Sequence, residues 1–198
     1  MGSSEKFTKN VRVRFAPSPT GWMHIGSIRQ VLYNYLWAKK NNGAFVLRIE
    51  DTDQDRAVPG GVESIYETLD AFELEGDEGP KKGGDFGPYV QSERLNIYRK
   101  HAEELVSNGA AYYCFCPKDR LEKMREEQIA RKQQPKYDGT CREIPPEEAQ
   151  KRVDGAEEHV IRLKVPVTGF TEYEDVIHGK ISFKNSLIDD QVLLKSDG

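Results

Sequence analysis

The sequence lacks any long apolar run. Of its 198 residues 37% are hydrophobic, but no stretch approaches the roughly 20 consecutive apolar residues that a bilayer span needs. The chain also lacks the pattern of a secretory leader, in which a basic start precedes a short apolar segment. We therefore expect a cytoplasmic protein with no membrane partner.

Cysteine is scarce, and neither sign of charge dominates. The cysteine count is three, which is odd, and two of the cysteines, Cys114 and Cys116, are one residue apart. In a chain without a leader, such clustering favours metal binding or free thiols over disulfides. The net charge is −4, from 29 basic and 33 acidic side chains. This slight acidity leaves a nucleic-acid partner open, because a local basic face can act against an acidic total.

Residues 11–49 have the pattern of a strand, a helix and a second strand. An alternating strand runs into a turn rich in proline and glycine, and a helix with apolar residues at helical spacing follows. The predicted buried stripe of this helix comprises Ile28, Val31, Leu32, Tyr35 and Leu36. A short apolar strand then ends at Glu50. The unit predicts two parallel strands joined by a right-handed crossover.

The turn after the first strand brings His24 to the start of the helix. A helix start attracts anions, because its free N–H groups and the positive end of its dipole face the ligand. Together with the arginines just before the turn, His24 indicates a nucleotide-phosphate site, although a histidine can also serve only as a polar cap. Gly26 would leave room for a nucleotide to approach.

Further elements follow in two groups. Helical spacing or strand-like alternation recurs in residues 62–72, 95–105 and 111–115. From Pro117 the pattern changes, with a charged helix, a loop, a short helix after Pro145 and Pro146, and strand-like pieces in residues 160–165, 180–183 and 191–195. The second group is typical of an α+β insertion rather than of continued βαβ alternation.

Two stretches resemble the signature motifs of class I aminoacyl-tRNA synthetases, and their sequences are similar to those of the glutamyl branch. The first is Arg14-Phe15-Ala16-Pro17-Ser18-Pro19-Thr20-Gly21 with His24-Ile25-Gly26-Ser27, and the second is Arg48-Ile49-Glu50-Asp51-Thr52-Asp53. A third similar stretch is Gly87-Pro88-Tyr89-Val90-Gln91-Ser92, in which Ser92 is expected to cap the third helix. The resemblance implies an α/β fold, a Rossmann-like parallel sheet that is incomplete here, with an α+β acceptor-binding insertion. It divides the chain into the first half of the Rossmann catalytic domain (1–116), the insertion (117–187) and a return to the Rossmann core (188–198).

The same resemblance implies roles for individual residues. The catalytic set is His24, Gly26 and Ser27, and the glutamate-binding set is Arg14, Ala16, Ser18 and Glu50. The ATP-binding set is Pro17, Thr20, Gly21, His24 and Gly26. Chemically, Arg14 can grip a carboxylate in a bidentate way, whereas Glu50 lies at the carboxyl edge of the sheet, where open α/β folds bind ligands. Glu50 would hold the α-amino group of glutamate, or be an exposed strand-end carboxylate. Asp51 and Asp53 are expected to organise the following loop, the site and the tRNA 3′ end.

The cysteines suggest a structural zinc site. Zn²⁺ in structural sites takes four tetrahedral ligands, usually Cys or His, and Cys114, Cys116 and Cys141 supply three. By resemblance, the fourth ligand would be Tyr137 or, alternatively, Glu143, and a site without metal stays open. The basic side chains between Lys118 and Lys132 are either a solvated helix face, paired with interleaved glutamates, or phosphate contacts for a tRNA acceptor stem.

The resemblance implies the activity of a glutamyl-tRNA synthetase. L-Glutamate would react with ATP and Mg²⁺ to give glutamyl-adenylate, and the acceptor end of tRNA(Glu) would then take the glutamyl group. The second ATP signature of the class, Lys-Met-Ser-Lys-Ser or a variant, does not occur in these residues. We therefore expect an N-terminal part of the catalytic domain that is inactive alone. The alternatives are a glutamyl-queuosine tRNA(Asp) synthetase and a non-catalytic module that binds the tRNA acceptor stem.

Overall fold

A computed structural model describes residues 11–53 and 56–196. The chain divides into two compact units, residues 1–96 and 97–198. Within the described residues, no helix combines the length and the apolarity needed to cross a membrane. The last two residues of the predicted return segment, 197–198, lie outside the described residues.

The first unit contains the predicted βαβ arrangement. Strand β1 (Arg12–Phe15) leads to helix α1 (Ile25–Lys40), strand β2 (Ala44–Leu47) and helix α2 (Gly61–Ala71). β1 and β2 pair in parallel, from Arg12 opposite Ala44 to Phe15 opposite Leu47. The predicted parallel pair is therefore confirmed.

The turn between α1 and β2 depends on a glycine. A Cβ on Gly43 would lie 2.2 Å from the carbonyl oxygen of Val11, so only glycine fits where the chain leaves the helix and passes β1. The Gly43 N–H donates to Ala38 (2.8 Å), and the next N–H, of Ala44, donates to Val11 (2.8 Å). This close approach of Gly43 to Val11 sets the register in which β1 and β2 pair.

The core of the first unit lies between these strands and the two helices. Its fully buried side chains include Val31, Phe45, Ile49 and Ile65. The predicted stripe of α1 is partly wrong, because Leu32 and Leu36 are 39% and 53% exposed. The helix instead buries Ile28, Val31 and Ala38, with Tyr35 packed against the core. These residues share one line along the helix, and Leu32 and Leu36 lie one position beyond it, on the side facing solvent.

The second unit is α+β. Helix α3 (Leu95–Ser107) leads to strand β3 (Ala111–Cys114), and helices α4 (Lys118–Ala130) and α5 (Pro146–Asp154) follow. Strands β4 (Val160–Leu163), β5 (Phe170–Asp175), β6 (Gly179–Lys184) and β7 (Val192–Leu194) complete it. The sheet order is β3-β4-β7 with antiparallel pairs, and β5 and β6 form a separate hairpin. Sequence periodicity did not indicate β5, whose side chains are exposed on both faces except at Asp175.

Candidate functional site

The helix start carries the predicted histidine as its N-cap. His24 is exposed and has extended backbone, and its Nδ1 accepts a hydrogen bond from the N–H of Gly26 at 3.0 Å. Because Nδ1 is an acceptor, the proton of the neutral ring is on Nε2. His24 thus satisfies one helix N–H and keeps an outward-facing donor for an anion. The two interpretations of this residue, cap and anion contact, are compatible.

Gly26 is required by His24 itself. A Cβ on Gly26 would lie 2.7 Å from Cε1 and 2.9 Å from Nδ1 of the imidazole. The sequence suggested that Gly26 makes room for a nucleotide, whereas in the structure it makes room for the ring that caps the helix. Ser27 is half-buried in the first turn, and its N–H donates to the carbonyl of His24 at 2.8 Å.

The turn between β1 and α1 is fastened to the segment after β2 by backbone hydrogen bonds. The N–H of Arg48 donates to Phe15 at 3.0 Å, that of Glu50 to Pro17 at 2.9 Å, and that of Val58 to Pro19 at 3.0 Å. The predicted residues of this turn differ in exposure: Ser18 is exposed, and Ala16, Pro17, Thr20 and Gly21 are half-buried. Nothing lies within 4 Å of a Cβ placed on Gly21, so packing within the described residues does not require glycine there.

Glu50 lies between two arginines at the carboxyl ends of β1 and β2. Its Oε1 is 2.9 Å from Nη2 of Arg48 and 3.5 Å from Nη1 of Arg14. Arg14 is 44% exposed at its side chain, whereas Arg48 is 21% exposed. The three groups have a net charge of +1, so the arrangement can attract a carboxylate to Arg14 while Glu50 keeps an oxygen for an amine. Arg48 belongs to the second signature, but no role was predicted for it from the sequence.

Asp51 connects the end of β2 to the segment before α3. Its carboxylate accepts the N–H of Ser92 at 2.9 Å and the hydroxyl of Ser92 at 2.6 Å. The predicted N-cap role of Ser92 is wrong, because Ser92 lies inside a 3₁₀ helix, Gln91–Arg94, that precedes α3. Asp51 therefore organises structure 41 residues away, while Asp53 bonds within its own loop to Arg56. No pattern in the sequence indicated the Asp51 contact.

The three cysteines come together with Tyr137 in the second unit. The cysteine sulfurs all lie within 4.8 Å of one another, and none is in a disulfide. The Tyr137 hydroxyl is 3.3 Å from the sulfurs of both Cys114 and Cys116, and it accepts the N–H of Cys141 at 3.0 Å. Ligands about 2.3 Å from a tetrahedral zinc are about 3.8 Å apart, so this spacing suits a zinc ion. Glu143, the alternative ligand, is 84% exposed at its side chain and is not part of the group.

Burial and mutual hydrogen bonds shift the pKa values of Cys114, Cys116 and Tyr137. Burial is the largest influence and raises the pKa of Cys116 to about 11. It acts in the same direction on Cys114, but hydrogen bonds from Tyr137 and the Cys116 backbone, with Arg162, outweigh it and leave the pKa of Cys114 below its ordinary value. Burial and the neighbouring thiols raise the pKa of Tyr137 strongly.

The basic side chains of α4 and of the two residues after it are almost all in solvent. Lys118, Lys123, Arg125, Arg131 and Lys132 are exposed. The exception is Arg120, which turns towards the cysteine cluster and contacts Asp138 and Cys116. The nearest glutamate partner on the helix is Glu127, 3.7 Å from Arg131.

Comparison with known proteins identifies the family. Residues 10–198 match the family described as tRNA synthetases class I (E and Q), catalytic domain. The chain belongs to this family. It is 54% identical over 191 residues to a glutamate–tRNA ligase of Dehalococcoides mccartyi strain CBDB1, and 53% identical over 191 residues to one of Clostridium botulinum strain Hall. These matches cover 96% of the chain but 38% and 39% of the relatives, so the chain spans about two fifths of their length.

Solved structures of this synthetase family agree with the fold. A glutamate–tRNA ligase from Elizabethkingia meningosepticum, determined in complex with its amino acid, superposes with a TM-score of 0.85 at 42% identity. A glutamate–tRNA synthetase from Elizabethkingia anophelis superposes with a TM-score of 0.86 at 42% identity. Each match covers 96% of this chain, and 39% and 40% of the respective solved chains. The predicted class I synthetase fold is therefore confirmed.

Proposed function

We propose that these residues form the amino-acid and ATP-phosphate side of a glutamate–tRNA ligase. L-Glutamate would be activated with Mg²⁺ and ATP, and the acceptor end of tRNA(Glu) would receive it, in cytoplasmic translation. The proposal depends on one observation. Because β1 and β2 are parallel, the group of Arg14, Arg48 and Glu50 lies at the same edge of the sheet as the turn that leads to His24. The named relatives support this choice of substrate.

The geometry suggests how these groups would work. Arg14 would bind a carboxylate of glutamate, Glu50 would accept its ammonium group, and Ala16 and Ser18 would line the same turn. Nε2 of His24 would donate a hydrogen bond to phosphate charge that grows as the glutamate oxygen attacks the α-phosphorus. Gly26 and Ser27 would keep the ring and the first helix turn in place, and Pro17, Thr20 and Gly21 would shape the approach of ATP. None of these residues needs to form a covalent bond with substrate.

Glutamate-dependent exchange of pyrophosphate into ATP, measured with tRNA(Glu) present, tests this proposal. The measurement uses the gene product that carries these residues, and its matched variants are Arg14→Lys, Glu50→Gln and His24→Ala. We expect the first two to raise the KM for glutamate and the third to lower kcat. Exchange that does not depend on glutamate, or an unchanged KM in both of the first variants, would exclude the assignment.

A second candidate is a glutamyl-queuosine tRNA(Asp) synthetase. The contact of the Tyr137 hydroxyl with two cysteine sulfurs favours this candidate. Glutamyl-queuosine synthetases are similar here, because they place a tyrosine beside their cysteines in the same way. Transfer of glutamate to purified tRNA(Asp), but not to tRNA(Glu), would replace the first candidate with this one. Binding of tRNA without any binding of ATP or glutamate would indicate a non-catalytic acceptor-stem module.

We also propose that Cys114, Cys116, Cys141 and Tyr137 hold a structural zinc ion. The residues fit the ion because three sulfurs and one hydroxyl converge at tetrahedral spacing. Zinc would supply a crosslink between β3 and the loop before α5, and no chemistry. Metal analysis of the purified protein is expected to give one zinc per chain, and its absence after expression in zinc-supplemented medium would overturn the site.

A further inference from the structure

A buried arginine lies directly against the cysteine cluster. Arg162 is 4% exposed, and the centre of its guanidinium is 4.2 Å from the centroid of the Tyr137 ring. Its Nη1 donates to the backbone carbonyl of Asp190 at 2.9 Å, and its Nε has no hydrogen-bond partner within the described residues. A guanidinium held here by a ring and a carbonyl is a buried positive charge whose hydrogen bonds involve no carboxylate oxygen.

The carboxylate of Asp190, whose backbone carbonyl accepts from Arg162, already has other partners. The side chain of Asp190 accepts two contacts from Nη1 of Arg142, at 2.9 and 2.7 Å, together with the hydroxyl of Tyr112 at 2.6 Å and the N–H of Val165 at 3.0 Å. Arg142 also lies 3.9 Å from the exposed carboxylate of Glu143, whereas Arg162 forms no ion pair with a carboxylate among the described residues. A buried charge without compensation is costly, so this part of the unit favours an additional anion beside Arg162.

The cysteine cluster would provide that anion once it holds metal. Cysteines bind zinc as thiolates, so three thiolates and one Zn²⁺ ion have a net charge of −1. This negative charge is opposite in sign to the buried guanidinium of Arg162. The complementarity concerns the metal-bound cluster as a whole and does not depend on how any single thiol titrates.

A second arginine contacts the cluster from its exposed side. Nη1 of Arg120 is 3.4 Å from the sulfur of Cys116, in the geometry of an N–H donor to sulfur. Asp138 and Thr140 hold the other end of the same guanidinium, with Nη2 2.6 Å from the Thr140 hydroxyl. The arginine is therefore positioned before any metal binds.

We propose that Arg120 and Arg162 are the outer layer of the zinc site and set its affinity for the ion. The proposal rests on the zinc site proposed above and assigns roles to two residues outside the ligand set. Arg162 supplies the charge that balances the anionic cluster, and Arg120 donates to the Cys116 thiolate. Both act through the ligands, so they are positioning residues of a metal site and have no part in the reaction.

Zinc affinity measured by competition with a chromophoric chelator tests the proposal on the purified chain. The variants are Arg162→Met, Arg162→Lys and Arg120→Met. Arg131→Met is the matched control, since Arg131 is exposed directly after α4 and its ion pair within the described residues is with Glu127. Outer partners of metal ligands typically contribute 10–100-fold to affinity. We expect a loss in that range for Arg162→Met, a smaller loss for Arg162→Lys and for Arg120→Met, and no change for the control.

Cobalt substitution supplies a second readout. The thiolate-to-cobalt absorption of the Arg120→Met variant should shift relative to wild type, because the donor to one sulfur is lost. If Arg162→Met fails to fold by circular dichroism, Arg162→Lys and Arg120→Met decide the question. Equal zinc affinity in wild type and these variants overturns this inference and leaves the zinc site intact. A wild-type chain that binds neither Zn²⁺ nor Co²⁺ overturns the zinc site itself, and this inference with it.

Discussion

Substitution of Gly26 by alanine should separate the stability of the first unit from its function. The new methyl group would lie 2.7 Å from the His24 ring, which is exposed and can rotate away. Rotation breaks the hydrogen bond to the Gly26 N–H, and loss of an N-cap costs about 1 kcal/mol. Alanine in place of glycine in a helix gains up to about 1 kcal/mol. The free energy of unfolding should therefore fall by at most about 1 kcal/mol, because the loss of the cap and the gain in helix propensity oppose each other.

The activity should change far more than the stability. In the role proposed for His24, displacement of the ring removes the Nε2 donor to the phosphate, and removal of one such donor typically lowers kcat by about 10²–10³. Urea unfolding gives the first quantity, and glutamate-dependent pyrophosphate exchange by the gene product that carries these residues gives the second.

A mutant cycle provides the control. His24→Ala alone should cost about 1 kcal/mol, because it loses the cap with no gain in helix propensity. Adding Gly26→Ala to it should recover up to about 1 kcal/mol, since no ring is left to displace. The two substitutions would then show a coupling energy of about 1 kcal/mol, as expected for residues in contact. Full activity in Gly26→Ala, or strictly additive stabilities, would refute the assigned role of this glycine.

Three further predictions concern the buried polar contacts. Asp190→Asn should lower the free energy of unfolding by about 3–5 kcal/mol, because Arg142 loses a buried partner. Burial, the largest influence, raises the pKa of Asp190, but its hydrogen bonds outweigh burial and hold the pKa below 3.8. The carboxylate therefore stabilises the fold above that pH, and urea titrations of wild type and variant should converge as the pH falls further. Asp51→Ala should cost about 1–3 kcal/mol by leaving the donors of Ser92 unpaired, whereas Asp53→Ala in its exposed loop should stay within about 0.5 kcal/mol; a similar cost for both would contradict the structure. Chelation of zinc should lower the Tm of wild type but not of a variant with all three cysteines changed to serine.

Much of the first unit could be predicted because its determinants are local. Apolar periodicity, the glycine after α1 and the Pro- and Gly-rich turn specify two parallel strands and the helix between them. The stripe of α1 was predicted less well, since Leu32 and Leu36 have the right spacing but face solvent. Spacing fixes which residues share a helix face, and the neighbouring elements decide which part of that face is covered. The predicted boundaries 1–116, 117–187 and 188–198 stay a prediction.

The sequence by itself determined the family signatures, the helix start at His24 and the cysteines as a candidate metal site. The tertiary structure decided which distant side chains contact these residues. Tyr137 lies against two sulfurs while Glu143 faces solvent, and Asp51 reaches Ser92 across 41 residues. Arg162 and Asp190 meet from separate strands and loops beside the cluster. The physical reason is range: a cap or a turn forms between residues a few positions apart, whereas a buried charge finds its partner only when distant segments pack together and exclude water.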